Sequence, residues 1–108
     1  MKKAVVTGMG CVSGLGADVA STWRSLLAGN CAIIQKKVAV KGLDEHQIDG
    51  SMAPCVPDAL TKLEGRFTEK QIASVDLFSN FGASATFEAL TDAGLINDSE
   101  RLEKAAII

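Results

Sequence analysis

The chain opens on a short apolar run, Ala4-Val5-Val6, that breaks into Gly8, Gly10, Gly14 and Gly16 within nine residues. The run is too short for a helix and rich in Val. It predicts a buried strand feeding a tight turn, with glycines where a side chain would clash. A helical pattern follows at once. Asp18 is a good N-cap, Val19, Trp23, Leu26 and Leu27 share one face, and Leu26-Leu27-Ala28-Gly29 followed by Asn30 is a strong stop. The pattern predicts Trp23 as a core anchor, with Val6 and Leu90 as further core residues.

Next come two apolar pieces, Cys31-Ala32-Ile33-Ile34 and Val38-Ala39-Val40, separated by Lys36-Lys37. The second piece is compatible with an exposed edge strand. Between Lys41 and Arg66 the pattern dissolves into turn residues, with a short helix expected around 58–63. A longer helix is predicted over 69–92, with Ile72, Val75, Phe78, Phe81, Ala85, Ala89 and Leu90 near one stripe. Its middle, Gly82-Ala83-Ser84-Ala85-Thr86, is thin on several sides, which suits a helix packed closely between layers and places Ala85 against another element. Gly94 stops it and Asn97-Asp98-Ser99-Glu100 reads as a polar link. Lys104-Ala105-Ala106-Ile107-Ile108 then begins an apolar strand. A strand cut off there, without neighbours or a following turn, is expected of the first part of a longer protein.

Composition narrows the function classes. The 108 residues are 47% hydrophobic and 22% charged with a formal net charge of −2, an ordinary globular balance for one domain at most. There is no basic excess for nucleic acid, and a chain without Tyr and with one Trp offers few stacking platforms. Met1-Lys2-Lys3 imitates the start of a secretory signal, but the glycines cut the apolar run and no small-x-small cleavage site precedes Asp18. No stretch reaches the roughly 18 to 20 apolar residues needed to span a bilayer, so the expected location is cytoplasmic, with no membrane partner. The three cysteines, Cys11, Cys31 and Cys55, form no C-x-x-C pair, and with a lone His46 they cannot furnish a zinc site. They are expected reduced and mostly buried. His46, between Glu45 and Gln47, reads as a solvated histidine, and Lys36-Lys37 as a solvated surface.

A strand, a glycine turn and a helix also begin a dinucleotide-binding unit. The G-x-G-x-x-G fingerprint, however, needs Gly where Ser13 stands. The T-G-x-x-x-G-x-G pattern of short-chain dehydrogenases fails too, because Gly14 and Gly16 come two residues late after Thr7-Gly8. A dinucleotide-binding oxidoreductase is therefore a disfavoured alternative, and no cofactor is expected.

Two blocks carry a resemblance instead. Val5-Val6-Thr7-Gly8-Met9-Gly10-Cys11-Val12-Ser13, with Leu15-Gly16, Trp23 and Leu26-Leu27-Ala28-Gly29, resembles the N-terminal signature of β-ketoacyl-acyl carrier protein synthases. Val75-Asp76-Leu77-Phe78 and Glu88-Ala89-Leu90-Thr91-Asp92-Ala93-Gly94-Leu95 resemble the next helix of that family and its E-A-L-x-D-A-G-L ending. The order and distance agree across residues 4–34 and 75–108, and the resemblance fails between them. One local departure is Ser13-Gly14, where many relatives place Thr-Pro or Ser-Pro.

The resemblance implies an α/β chain, the opening part of the N-terminal half of a thiolase-like, five-layer αβαβα architecture. It implies a parent enzyme, an acyltransferase of fatty acid or polyketide biosynthesis, that condenses an acyl thioester with malonyl-acyl carrier protein. Its partners would be acyl carrier protein and malonyl-acyl carrier protein, and the full-length form would be a homodimer. Residues 1–108 would be a synthase N-terminal domain truncated before the catalytic cysteine region, inactive by itself. No catalytic, cofactor-binding or metal-binding residue is therefore assigned. Cys31 follows the C-terminal end of a helix, the wrong field for a thiolate nucleophile; Cys55 lies in a proline-flanked loop; Cys11 precedes the next helix by several residues. A non-catalytic relative, such as a partner subunit that shapes product length, is the other reading that the resemblance leaves open.

Overall fold

The computed structural model describes residues 3–39 and 47–106. Helix α1 spans Val19–Leu27. A hairpin follows, β1 at Ile34–Ala39 and β2 at Gln47–Met52, and then a 3₁₀ helix at Pro57–Leu63. Helices α2 at Glu69–Ala73, α3 at Leu77–Asp92 and α4 at Ser99–Leu102 complete the order.

Local chemistry explains the helix ends. Asp18 accepts the Ser21 N–H at 2.6 Å and Ser21 Oγ accepts the Asp18 N–H at 3.3 Å, so each side chain satisfies the other residue's backbone donor at the start of α1. At the other end Gly29 takes φ 74°, with Asn30 N–H on Ser25 O and Gly29 N–H on Leu26 O. Gly94 repeats this after α3 at φ 69°, with Leu95 N–H on Leu90 O and Gly94 N–H on Thr91 O. Both stops are Schellman closures, which need the left-handed backbone that glycine adopts without strain.

The single helix expected over 69–92 is two. Asp76 Oδ1 accepts the Ser79 N–H at 2.7 Å and starts α3 afresh, and α2 has already ended at Ser74. A short acidic side chain that can cap competes with continuing the helix through it. Asn80 bridges the break by donating to Ile72 O at 2.9 Å. The expected link at 97–100 also differs: Asp98 caps α4 by accepting the Arg101 N–H.

The sheet is the antiparallel pair of β1 and β2, in register Ile34 to Met52 through Ala39 to Gln47. The strand expected at β1 thus begins earlier than Val38 and uses the lysines. β2 arises where only turns were expected, because pairing with β1 supplies backbone partners that local propensity does not. Residues 40–46, including His46, and Ile107 and Ile108 lie outside the described residues.

Helix α3 is the spine. On one side it packs against the 3₁₀ helix, where Ala59 and Leu63 are the buried apolar side chains and Ser84 Oγ donates to Ala59 O at 2.6 Å. Phe87 sits on the same part of the molecule, its ring 5.9 Å from Phe67 and under the Arg66 guanidinium. On the other side the opening segment crosses α3 in contact with its backbone. A Cβ at Gly8 would lie 2.7 Å from Ala93 N, and one at Gly10 would lie 2.9 Å from Ala89 N, closer than real contacts allow. The small-residue stretch thus serves the close packing expected of it, with Ala85 beneath Gly10.

Other core expectations are corrected. Val6 is 81% exposed and Trp23 59% exposed, and Leu90 is only half-buried. The segment at 4–6 pairs with no strand among the described residues. Periodicity identified the apolar face of α1, but burial also requires a second layer, and none of the described elements covers that face; the stripe expected over 69–92 is broken between α2 and α3, with Val75 and Phe78 exposed. Cys31 is exposed and Cys11 and Cys55 are half-buried, for the same reason.

Candidate functional site

The glycine turn, the start of α1 and the middle of α3 converge on one carboxylate. Glu88 projects from α3 with its side chain 18% exposed. Its Oε2 accepts the Cys11 N–H at 2.9 Å and the Lys62 ammonium at 3.1 Å, and its Oε1 accepts the Val19 N–H at 2.8 Å. Val19 is the first residue of α1, so Glu88 satisfies one of the helix's orphan donors and lies at the positive end of its dipole. Lys62, from the 3₁₀ helix, also donates to Ala17 O at 2.7 Å. One turn further along α3, Asp92 Oδ2 accepts the Met9 N–H at 3.0 Å.

Ser13 organises the turn above this hub. Its N–H donates to Gly16 O at 2.9 Å, its hydroxyl accepts the Leu15 N–H at 3.1 Å and shares a 2.9 Å hydrogen bond with Thr22 of α1. A serine hydroxyl therefore closes the turn at the position before Gly14.

Beside the hub runs a groove of about 1090 Å³. Met9, Val19, Trp23 and Leu26 form its apolar wall, and Asp18, Lys62, Glu88 and Asp92 its polar edge. Hydrogen bonding from Ser21, side chain first and then backbone N–H, holds the Asp18 carboxyl below the usual range, with Lys62 and Arg24 adding to the effect. A second groove, about 730 Å³, lies between the opening segment and α3 and reaches Ala105 and Ala106.

The structure brings Cys11 to the first groove and not Cys31 or Cys55. The charged groups lining that groove are three carboxylates and one ammonium, all already engaged in hydrogen bonds. Among the described residues no cluster of three or more His, Cys, Asp or Glu is placed to hold a metal ion. The arrangement fixes backbone positions around the start of α1 and the glycine turn. Sequence reading passed over Glu88 and Asp92 as parts of a helix ending. The available signal was their spacing: two acids four apart, on a helix lined with Ala85 and Ala89, facing a glycine-rich segment.

Comparison with known proteins agrees with the resemblance seen in the sequence and corrects its extent, since the match runs through residues 35–74, where the resemblance was expected to fail. Over 106 residues the chain is 30% identical to the 3-oxoacyl-[acyl-carrier-protein] synthase 2 of Vibrio cholerae, covering 98% of the chain and 24% of that protein. It is 31% identical over 120 residues to the mitochondrial 3-oxoacyl-[acyl-carrier-protein] synthase of Arabidopsis thaliana, covering 98% and 26%. It is also 31% identical over 109 residues to nodulation protein E of Rhizobium meliloti, covering 99% and 25%. The chain thus spans about a quarter of the length of the curated relatives it matches. No solved structure gives a significant match. The family model of the β-ketoacyl synthase N-terminal domain matches residues 1–108, and the chain belongs to that family.

Proposed function

We propose that this chain forms the opening scaffold of a β-ketoacyl-acyl carrier protein synthase and that the groups performing the condensation lie outside its 108 residues. The observation carrying the reading is the family match over the whole chain, together with a hub in which Glu88 and Lys62 pair with each other and hold the backbone at Cys11, Val19 and Ala17. In the complete enzyme a cysteine thiolate would attack an acyl thioester, form an acyl-enzyme and release the carrier thiol. Malonyl-acyl carrier protein would lose carbon dioxide, and the resulting carbanion would attack the acyl-enzyme carbonyl, expelling the cysteine and leaving a 3-oxoacyl thioester two carbons longer. Preorganised backbone N–H donors would stabilise the oxyanion of each addition.

Within that reading the chain would contribute the first layers of a thiolase-like fold, working in fatty acid or polyketide biosynthesis as part of a homodimeric, cytoplasmic enzyme. No helix among the described residues is long and apolar enough to cross a membrane. The packing supports a scaffold role. The strand-like opening segment lies on α3 through glycines, a contact close enough to hold a central strand against a covering helix.

Two measurements test the proposal. Incubated with an acyl-carrier protein thioester, the 108-residue chain should show no saturable acyl adduct by intact mass; acylation of Cys11 would overturn the placement of the nucleophile. The gene downstream of codon 108 should encode a cysteine at a strand-to-helix turn and later histidines, and its full product should release a 3-oxoacyl thioester. A downstream frame lacking that cysteine would favour a non-catalytic relative.

A further inference from the structure

We propose that Glu88 and Asp92 form a two-point register key that sets where the opening segment lies on α3, with Glu88 the positioning residue that also ties the glycine turn to α1. In an extended segment the N–H groups of alternate residues leave the same edge, and two residues advance by roughly 6.6 Å. Along a helix, positions four apart are separated by about 6.0 Å and share a face. The two repeats nearly match. Met9 and Cys11, two apart, donate to Asp92 and Glu88, four apart and in reverse order, at 3.0 and 2.9 Å.

Close packing opposes a slip of two residues, because Val6 or Val12 would then carry a Cβ into a place where Gly8 or Gly10 now meets the α3 backbone, and the two carboxylates hold the same register by hydrogen bonds. Gly10 lies against Ala85 and Ala89, and Gly8 against Ala89 and Ala93, so the glycines admit the segment to the helix surface. A slip of two would bring Val6 or Val12 onto that surface and move the Met9 and Cys11 amides off their acceptors. Glu88 then couples the chosen register to the rest of the molecule, since its other oxygen holds Val19 N–H and Lys62 links it to Ala17 O. This geometry is independent of the condensing activity.

Hydrogen exchange of the full-length protein, read at single amides, tests it without turnover. Glu88→Gln leaves one acceptor oxygen for two amides, so at least one of Cys11 and Val19 should exchange roughly tenfold faster or more, while Met9 keeps its rate. Asp92→Ala, at an exposed position, should accelerate Met9 by a similar factor and leave Val19 unchanged. Unchanged exchange at all three amides, or acceleration spread evenly over the α3 backbone in both variants, would overturn the proposal.

Discussion

Two glycines on or near α3 have opposite environments. Gly10 has the Ala85 and Ala89 backbone where a Cβ would go, whereas Gly82, within α3, has nothing within 4 Å. Gly10→Ala should therefore force the segment off the helix at a cost of roughly 1–3 kcal/mol, as overpacking does. Gly82→Ala should stabilise by about 0.5–1 kcal/mol, because alanine loses less backbone entropy in a helix. Denaturant midpoints moving in opposite directions would verify the pair, and a neutral Gly10→Ala would contradict the close crossing. Ser84 is fully buried with its hydroxyl on Ala59 O, so Ser84→Ala should cost on the order of 1 kcal/mol by the same measurement.

At the scale of elements, α1 depends on its cap. Asp18→Ala removes the acceptor for the Ser21 N–H and should lower stability by about 1 kcal/mol, seen as a lower melting midpoint. The same contact has a pH signature. The Asp18 carboxyl is held below its ordinary value, chiefly by Ser21, so the folded state prefers the ionised form. Its contribution is fully present above the ordinary aspartate range near ~4 and is lost as pH falls through the lowered folded value. Acid titration of the wild type and Asp18→Asn should therefore converge at low pH; curves that stay parallel would argue against the cap. The break between α2 and α3 has a similar origin, with Asp76 held low by the Ser79 N–H first and its side chain second.

The whole molecule is spread out. Its radius of gyration is 17.3 Å, against about 13 Å for a compact domain of this length. Its accessible surface is 8672 Å², against about 5,700 Å² for a folded monomer of this mass. Much of the excess is apolar: Val5, Val6, Trp23, Leu26, Leu27, Leu77 and Phe78 all stand in the open. Exposed apolar surface of this extent drives association. The 108-residue chain by itself should sediment as concentration-dependent oligomers, and a monomer with a sharp, reversible melt would contradict this.

The sequence by itself determined the features whose causes lie within a few residues. The Asp18 cap, the stops at Gly29 and Gly94 and the short helix near 58–63 follow from side chains and backbone conformations adjacent to them. Family membership was also legible, because the residues around Gly8 and Gly10 and those around Glu88 and Asp92 keep a recognisable order. Tertiary structure decided whatever depended on distant partners. β2 forms because β1 lies beside it, and Trp23 and Val6 stay exposed because no described layer covers them. The hub exists only when Glu88, 77 residues from Cys11 and 69 from Val19, is brought to both amides. A hydrophobic period tells which face of an element is apolar, and a carboxylate's spacing tells which side of a helix it shares. Neither says what will be laid against that face, since that is set by the path of the chain through space.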